Sequence, residues 1–213
     1  MNLQPFRRWA YLMLHGKPVR MNIAPPNADR ELVEAVLRNA PGAFETLVRT
    51  HQGLCWHIIY RMVRHPEDAR ELCQETFLRV HQKLHQYRYE SALKSWIGQI
   101  AYSIALRHLE RKKISLVEVH PDLPQTDPLE RVGNDFDLEG ACADEQTTRL
   151  LHQAIESLPP LPRMLLTLYH LQELTIPEIT QITGLAGGTI KSHLFRSRLK
   201  LRQLLEPTIG VFP

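Results

Sequence analysis

The sequence predicts an all-α protein: two small helical domains joined by an acidic flexible linker, the C-terminal one containing a helix-turn-helix. Three observations carry this expectation. Apolar residues recur every three or four positions through two long blocks, which is the period of helices packed on one side. Neither block alternates with the period of two that a half-buried strand requires. Between them, residues 114–148 hold nine acids against one arginine, with three prolines and no surviving period, the composition of a self-repelling spacer.

The expected order is a basic N-terminal extension at 1–28, a helical domain at 29–113, the linker at 114–148 and the second helical domain at 149–213. The net charge of +3 conceals a partition, because four basic residues and no acid in the extension and seven against four in the last domain flank the acidic stretch. With 43% hydrophobic and 23% charged residues, the composition is that of a globular, soluble protein. The apolar run from Trp9 to Leu14 is too short to span a bilayer and no cleavage site follows it, so no membrane insertion and a cytoplasmic location are expected. Cys55, Cys73 and Cys142 are odd in number and suit reduced thiols. His81 and His85 stand four apart without an HExxH or CxxC partner, so no metal or other cofactor is expected. With no phosphate loop and no nucleophile elbow, neither is an enzyme.

In chain order, residues 1–28 carry Arg7, Arg8, Lys17 and Arg20 with no sustained period and read as disordered or as one frayed helix; Met13 and Met21 are alternative starts. A brief helix from Asp29 to about Arg38 leads through Pro41-Gly42 into a longer one, whose buried stripe is Phe44, Leu47, Val48, His51, Leu54, Cys55, Ile58 and Met62. His65-Pro66 breaks it. Pro66, Glu67 and Asp68 then form a favourable first turn, with Ala69, Leu72, Cys73, Thr76, Val80 and Leu84 inward. Tyr87 to Ser91 is a loop. A fourth helix, Leu93 to Lys113, turns Trp96, Ile97, Ile100, Ala101, Ile104 and Leu109 inward and ends in Arg107, Arg111, Lys112 and Lys113, where the helix dipole favours cations. After the linker, Leu150, Leu151, Ala154, Ile155 and Leu158 restore the period, Pro159 to Pro162 force a turn, and a helix from Met164 to Leu171 follows.

The stretch Leu174 to Leu205 reads as the helix-turn-helix. Thr175 and Glu178 are spaced as a capping box, Pro177 sits harmlessly in the first turn, and Gly184 suits the tight turn. Gly187-Gly188 opens a second helix with Ile190, Leu194 and Leu201 on one face and Lys191, Ser192, Arg196, Lys200 and Arg202 over the rest. No acid occurs between Gly184 and Leu205, so this helix offers an anion only attraction, and nucleic acid is the expected anion.

These residues resemble the bacterial extracytoplasmic-function sigma factors, over about Asp29 to Leu205. Pro66-Glu67-Asp68-Ala69-Arg70-Glu71-Leu72-Cys73-Gln74-Glu75-Thr76-Phe77-Leu78 is similar to the polymerase-binding helix of that family, and Tyr89 to Ala101 to its promoter-melting segment. The Leu158-Pro159-Pro160 turn and Gly188-Thr189-Ile190-Lys191-Ser192 complete the likeness. The resemblance implies a factor that binds core RNA polymerase and promoter DNA and directs initiation, with an anti-sigma factor as a further partner. Asp68, Glu71, Gln74 and Glu75 would bind polymerase. Tyr87, Arg88, Tyr89, Ser91 and Lys94 would meet the minus-ten element. Lys191, Ser192, Phe195 and Arg196 would read the minus-thirty-five element, with Thr189 and Arg198 on phosphate. Trp96, on the inward stripe, reads as core. The linker is either a spacer or, as the family implies, an occupant of the polymerase RNA channel. Tyr102, Ser103 and Arg107 depart from the family pattern and bear on minus-ten recognition. The alternative is an activator of the response-regulator output type, which the Gly188 to Leu194 segment also resembles; the missing α/β receiver argues against it.

Overall fold

The computed structural model describes residues 26–112, 116 and 145–209. The N-terminal extension, nearly all of the linker with Cys142, and the last four residues lie outside the described residues, as do the expectations for them. Among the described residues every regular element is helical: α1 Pro26–Leu37, α2 Ala43–Val63, α3 Pro66–Lys83 running into a 3₁₀ turn at Leu84–Gln86, and α4 Leu93–Arg111 come first. Then follow α5 Glu145–Glu156, α6 Pro160–Leu166 continued by a π-helical turn at Thr167–Leu171, α7 Ile176–Thr183 and α8 Gly187–Ile209. They form two compact units, one of α1 to α4 together with Pro177–Leu185, the other containing α5, α6 and α8.

Local chemistry sets the boundaries in the first unit. Gly42 enters α2 at φ +74° and Arg64 leaves it at φ +62°, giving its N–H to Tyr60 O, a left-handed exit that frees the chain to reverse. His65 is extended, as the residue before a proline must be, and its Nδ1 accepts the Asp68 N–H at 3.3 Å to cap α3. Packing of α2, α3 and α4 then buries Leu47, Cys55, Ile58, Met62, Ala69, Val80, Ile97 and Ala101 completely or nearly so. Gly98 is needed for space: a Cβ there would stand 3.0 Å from the Ile182 side chain of α7.

The N-terminus of α4 is capped from far away. Ala92 has no side chain to do it, and Asp29 of α1 supplies a carboxylate oxygen 3.1 Å from the Leu93 N–H. Asp29→Ala is expected to lower stability by about 1 kcal/mol, the usual worth of a cap, with Asp29→Asn losing less; thermal melts of the two variants check this.

Burial has a consequence for acid stability. The His57 pKa is lowered from 6.5 to about 4 by burial first and by Arg61 second. Below pH 6.5 the unfolded chain takes this proton before the folded one does, so stability is lost from there down to about pH 4. Denaturant midpoints are expected to fall over that window, and His57→Gln is expected to flatten the fall.

In the second unit Leu151, Ile155, Met164, Leu165 and Leu168 pack with Ile190, Leu194 and Leu201. Arg163, almost fully buried, has Nη1 3.4 Å from Glu156 Oε2. The backbone of Leu116 accepts the Leu161 N–H at 3.1 Å.

Candidate functional site

Turn and helix at the C-terminal motif follow from three glycines. Gly184 takes φ +73° and gives its N–H to Thr180 O at 2.8 Å, ending α7. A Cβ on Gly187 would press on Ile176 at 3.3 Å, whereas Gly188 has open space. The apolar stripe of α8 is buried, which turns Thr189 and Arg196 to the surface and leaves Lys191, Ser192 and Phe195 half-buried beside them. These five share the side of α8 that the core does not use. Nearby, His193 has its pKa lowered by burial and then by Arg196, so it is neutral at pH 7. Arg198 does not join them. Expected on phosphate, it is only 8% exposed; its Nε and one terminal nitrogen are buried without a hydrogen-bond partner. Burial lowers its pKa, partly opposed by Tyr169. Here the guanidinium as well as the aliphatic stem is turned inward.

The loop after α3 is built around Tyr87. Expected to contact DNA, Tyr87 is instead 8% exposed, its hydroxyl donates to Ser91 O at 2.5 Å, and its ring meets those of Tyr89 at 4.7 Å and Trp96 at 5.3 Å. Burial, with Asp29 and Tyr89 nearby, pushes its pKa up to about 12. Tyr87 thus braces the loop from within. What it presents is Tyr89, in a left-handed conformation at φ +59°, 38% exposed and with the Arg30 guanidinium 5.0 Å over its ring. Arg88 is exposed and Ser91 half-buried. Lys94 Nζ lies 2.6 Å from Glu178 Oε1 of the same unit. Arg88, Ser91, Ser95, Trp96 and Gln99 line a cleft of about 350 Å³, within the ~300–1,000 Å³ of small-ligand sites. Trp96 is therefore half core and half cleft wall. Ser95 is 1% exposed and its hydroxyl has no partner, a buried donor that a ligand could satisfy.

On α3 the four expected polymerase contacts divide. Asp68 is held within the unit by Lys112 Nζ, 2.5 Å away, with His108 Nε2 at 3.3 Å beside it. The Lys112 hydrogen bond is the main reason its carboxyl pKa is lowered. Glu75 pairs with Arg79 at 2.6 Å. Glu71 and Gln74 are exposed, and one turn further Leu78 is 64% exposed. Sequence reasoning passed over Leu78. Its signal was an apolar residue lying off the inward stripe of Leu72, Thr76 and Val80.

Of the departures from the family pattern, Tyr102 is buried, Ser103 is exposed, and Arg107 is exposed beside a groove of about 480 Å³ that Arg79 and Arg111 also line. His81 meets the Phe44 ring edge-on. Among the described residues there is no cluster of metal-ligand type, and no helix is long and apolar enough to cross a membrane.

The Sigma-70 region 2 family matches residues 47–114 and the Sigma-70 region 4 family residues 148–201. Two helical modules of these kinds, in this order, define a transcription initiation factor of the sigma-70 class. The chain is 29% identical to RNA polymerase sigma-H factor of Pseudomonas aeruginosa, over 85% of this chain and 95% of that protein. It is 28% identical to ECF RNA polymerase sigma-E factor of Escherichia coli, over 85% and 96%. It belongs to the extracytoplasmic-function sigma factors, which bind core RNA polymerase and direct promoter-specific initiation. The fold is similar to that of CnrH, solved in complex with the cytosolic domain of CnrY, with a TM-score of 0.57 and 18% identity over 85% of this chain and 99% of that one. It is also similar to RpoE of Bartonella quintana, solved with the anti-sigma factor NepR, at 0.53 and 21% over 78% and 99%. The response-regulator alternative is not favoured, because the N-terminal half matches sigma region 2.

Proposed function

We propose that three surfaces divide the work of this sigma factor. The exposed side of α8, with Thr189, Lys191, Ser192, Phe195 and Arg196, enters the major groove of the minus-thirty-five element. Glu71, Gln74 and Leu78 on α3 form the contact with core polymerase, with Asp68 and Glu75 shaping it from beside. The cleft lined by Arg88, Ser91, Ser95 and Trp96 receives an unpaired base of the minus-ten element, with Arg88 and Lys94 toward phosphate and Trp96 against the ring. The observation that carries this last assignment is the buried, unpartnered Ser95 hydroxyl on the wall of an open cleft.

The domain limits 29–113 and 149–213 belong to the same reading, as does a factor that works in the cytoplasm without catalysis of its own. Since two solved relatives are held by CnrY and by an anti-sigma factor, restraint of this chain by an anti-sigma protein is part of the proposal.

The test is promoter opening followed by 2-aminopurine placed through the minus-ten element. Ser95→Ala and Tyr89→Ala are each expected to reduce open complex severalfold while leaving closed-complex affinity unchanged. Normal opening in both variants would remove the cleft from the account.

A further inference from the structure

A second aromatic surface lies on α2, away from the cleft and from the face on α3. Trp56 and Tyr60 stack one turn apart, ring centroids 5.2 Å and planes within 7° of each other. Both are half-buried, so part of each ring remains open to solvent. Spacings of four, three and four residues place Arg49, Gly53, Trp56 and Tyr60 on one stripe of the helix, about 16 Å long, and Arg64 follows at the left-handed C-cap. Arg49, Gly53 and Arg64 are exposed, and around the Gly53 Cβ position no atom lies within 4 Å, which keeps the approach to the Trp56 ring open.

Charge on this stripe has one sign. From Thr46 to Pro66 there is no acid, against Arg49 and Arg64 at the surface and a buried Arg61. The nearest carboxylate on the helix, Glu45, pairs with Arg49 through an exposed ion pair of a kind that exchanges easily for another anion. A cation near each end of a stacked aromatic pair, with Glu45 the nearest acid on the helix, is the composition of a platform for unpaired nucleic acid, where bases stack on rings and phosphates meet guanidinium groups.

The geometry points to this stripe as a binding site for the unpaired promoter strand, with Trp56 and Tyr60 as the stacking surface and Arg49 and Arg64 as phosphate contacts. It rests on the sigma-factor reading only in that promoter melting supplies the strand. Stacking on any base gives little sequence preference, so the site holds the strand rather than reads it.

The experiment uses full-length protein bound to core polymerase and a fluorescein-labelled 20-nucleotide oligo-dT. Trp56→Ala with Tyr60→Ala is expected to weaken oligonucleotide binding about tenfold, the scale of one lost stack. Trp56→Phe with Tyr60→Phe should restore most of it, and affinities for core polymerase and for duplex minus-thirty-five DNA should not change. Unchanged oligonucleotide affinity overturns the proposal, and so does a loss confined to core-polymerase affinity, which would mark a protein interface. Should the double alanine variant misfold, photocrosslinking of the wild-type holoenzyme to bromodeoxyuridine-substituted oligonucleotide decides: adducts on Trp56 or Tyr60 support the site, and their absence overturns it.

Discussion

Replacing Leu78 with Asp and Glu71 with Lys together is expected to weaken binding to core RNA polymerase by roughly 30-fold or more, the loss typical of an interface anchor worth at least about 2 kcal/mol. Leu78 is the reason for the size of the effect. At 64% exposure it contributes little to the fold, so its apolar surface is available to a partner, whereas Glu71 and Gln74 beside it give charge and hydrogen bonding that steer the encounter. The melting temperature should hardly move, since exposed changes usually alter stability by within about 0.5 kcal/mol. Asp68→Asn offers the contrast. It breaks the ties to Lys112 and His108 that join the start of α3 to the end of α4, and should show first as lost stability. Fluorescence titration of core polymerase beside thermal melts separates the two, and a Leu78 and Glu71 variant with normal affinity would move the contact elsewhere.

The second large effect is expected at Arg196. If it reads a guanine edge in the major groove, Arg196→Ala should cost about 1–3 kcal/mol on the best minus-thirty-five sequence and relax discrimination at one base pair. A residue held only to phosphate would weaken all sequences alike and lower the salt slope instead. Arg198→Ala should behave differently from both. Its guanidinium is enclosed against the Tyr169 side, so its removal should change the melting temperature before it changes DNA affinity. Gel-shift titrations of the three proteins on a panel of single-base substitutions, at two salt concentrations, distinguish these outcomes.

Periodicity in the chain announced which side of each helix would be inside. Leu47, Leu54, Cys55, Ile58 and Met62 were legible from spacing and are all buried, and the break at His65-Pro66 and the turn at Gly184 follow from backbone rules that act over a few residues. Contacts made across long sequence separations were not legible. Nothing local marks Asp29 as the cap for Leu93, 64 residues on, or Asp68 as the partner of Lys112. The π-helical turn, with the Gln172 N–H on Thr167 O, has no sequence signature either.

At the candidate site the same limit appears in sharper form. Residue type suggested aromatic and basic contacts at Tyr87 and Arg198, but both carry a large apolar body with a polar tip, and such side chains serve an interior as readily as a surface. Only packing decides between the two. Leu78 is the converse case, because an exposed leucine becomes noticeable once its surroundings are known.

Transcription by core polymerase with this protein as the sole initiation factor tests the central claim most directly. With fragmented genomic DNA from the source organism as template, mapped 5′ ends are expected to fall at a limited set of sites that share paired minus-thirty-five and minus-ten elements. The Leu78 and Glu71 variant should give few of these transcripts, and Arg196→Ala should redistribute them. Transcripts no more frequent or better positioned than those from core polymerase alone would contradict the account.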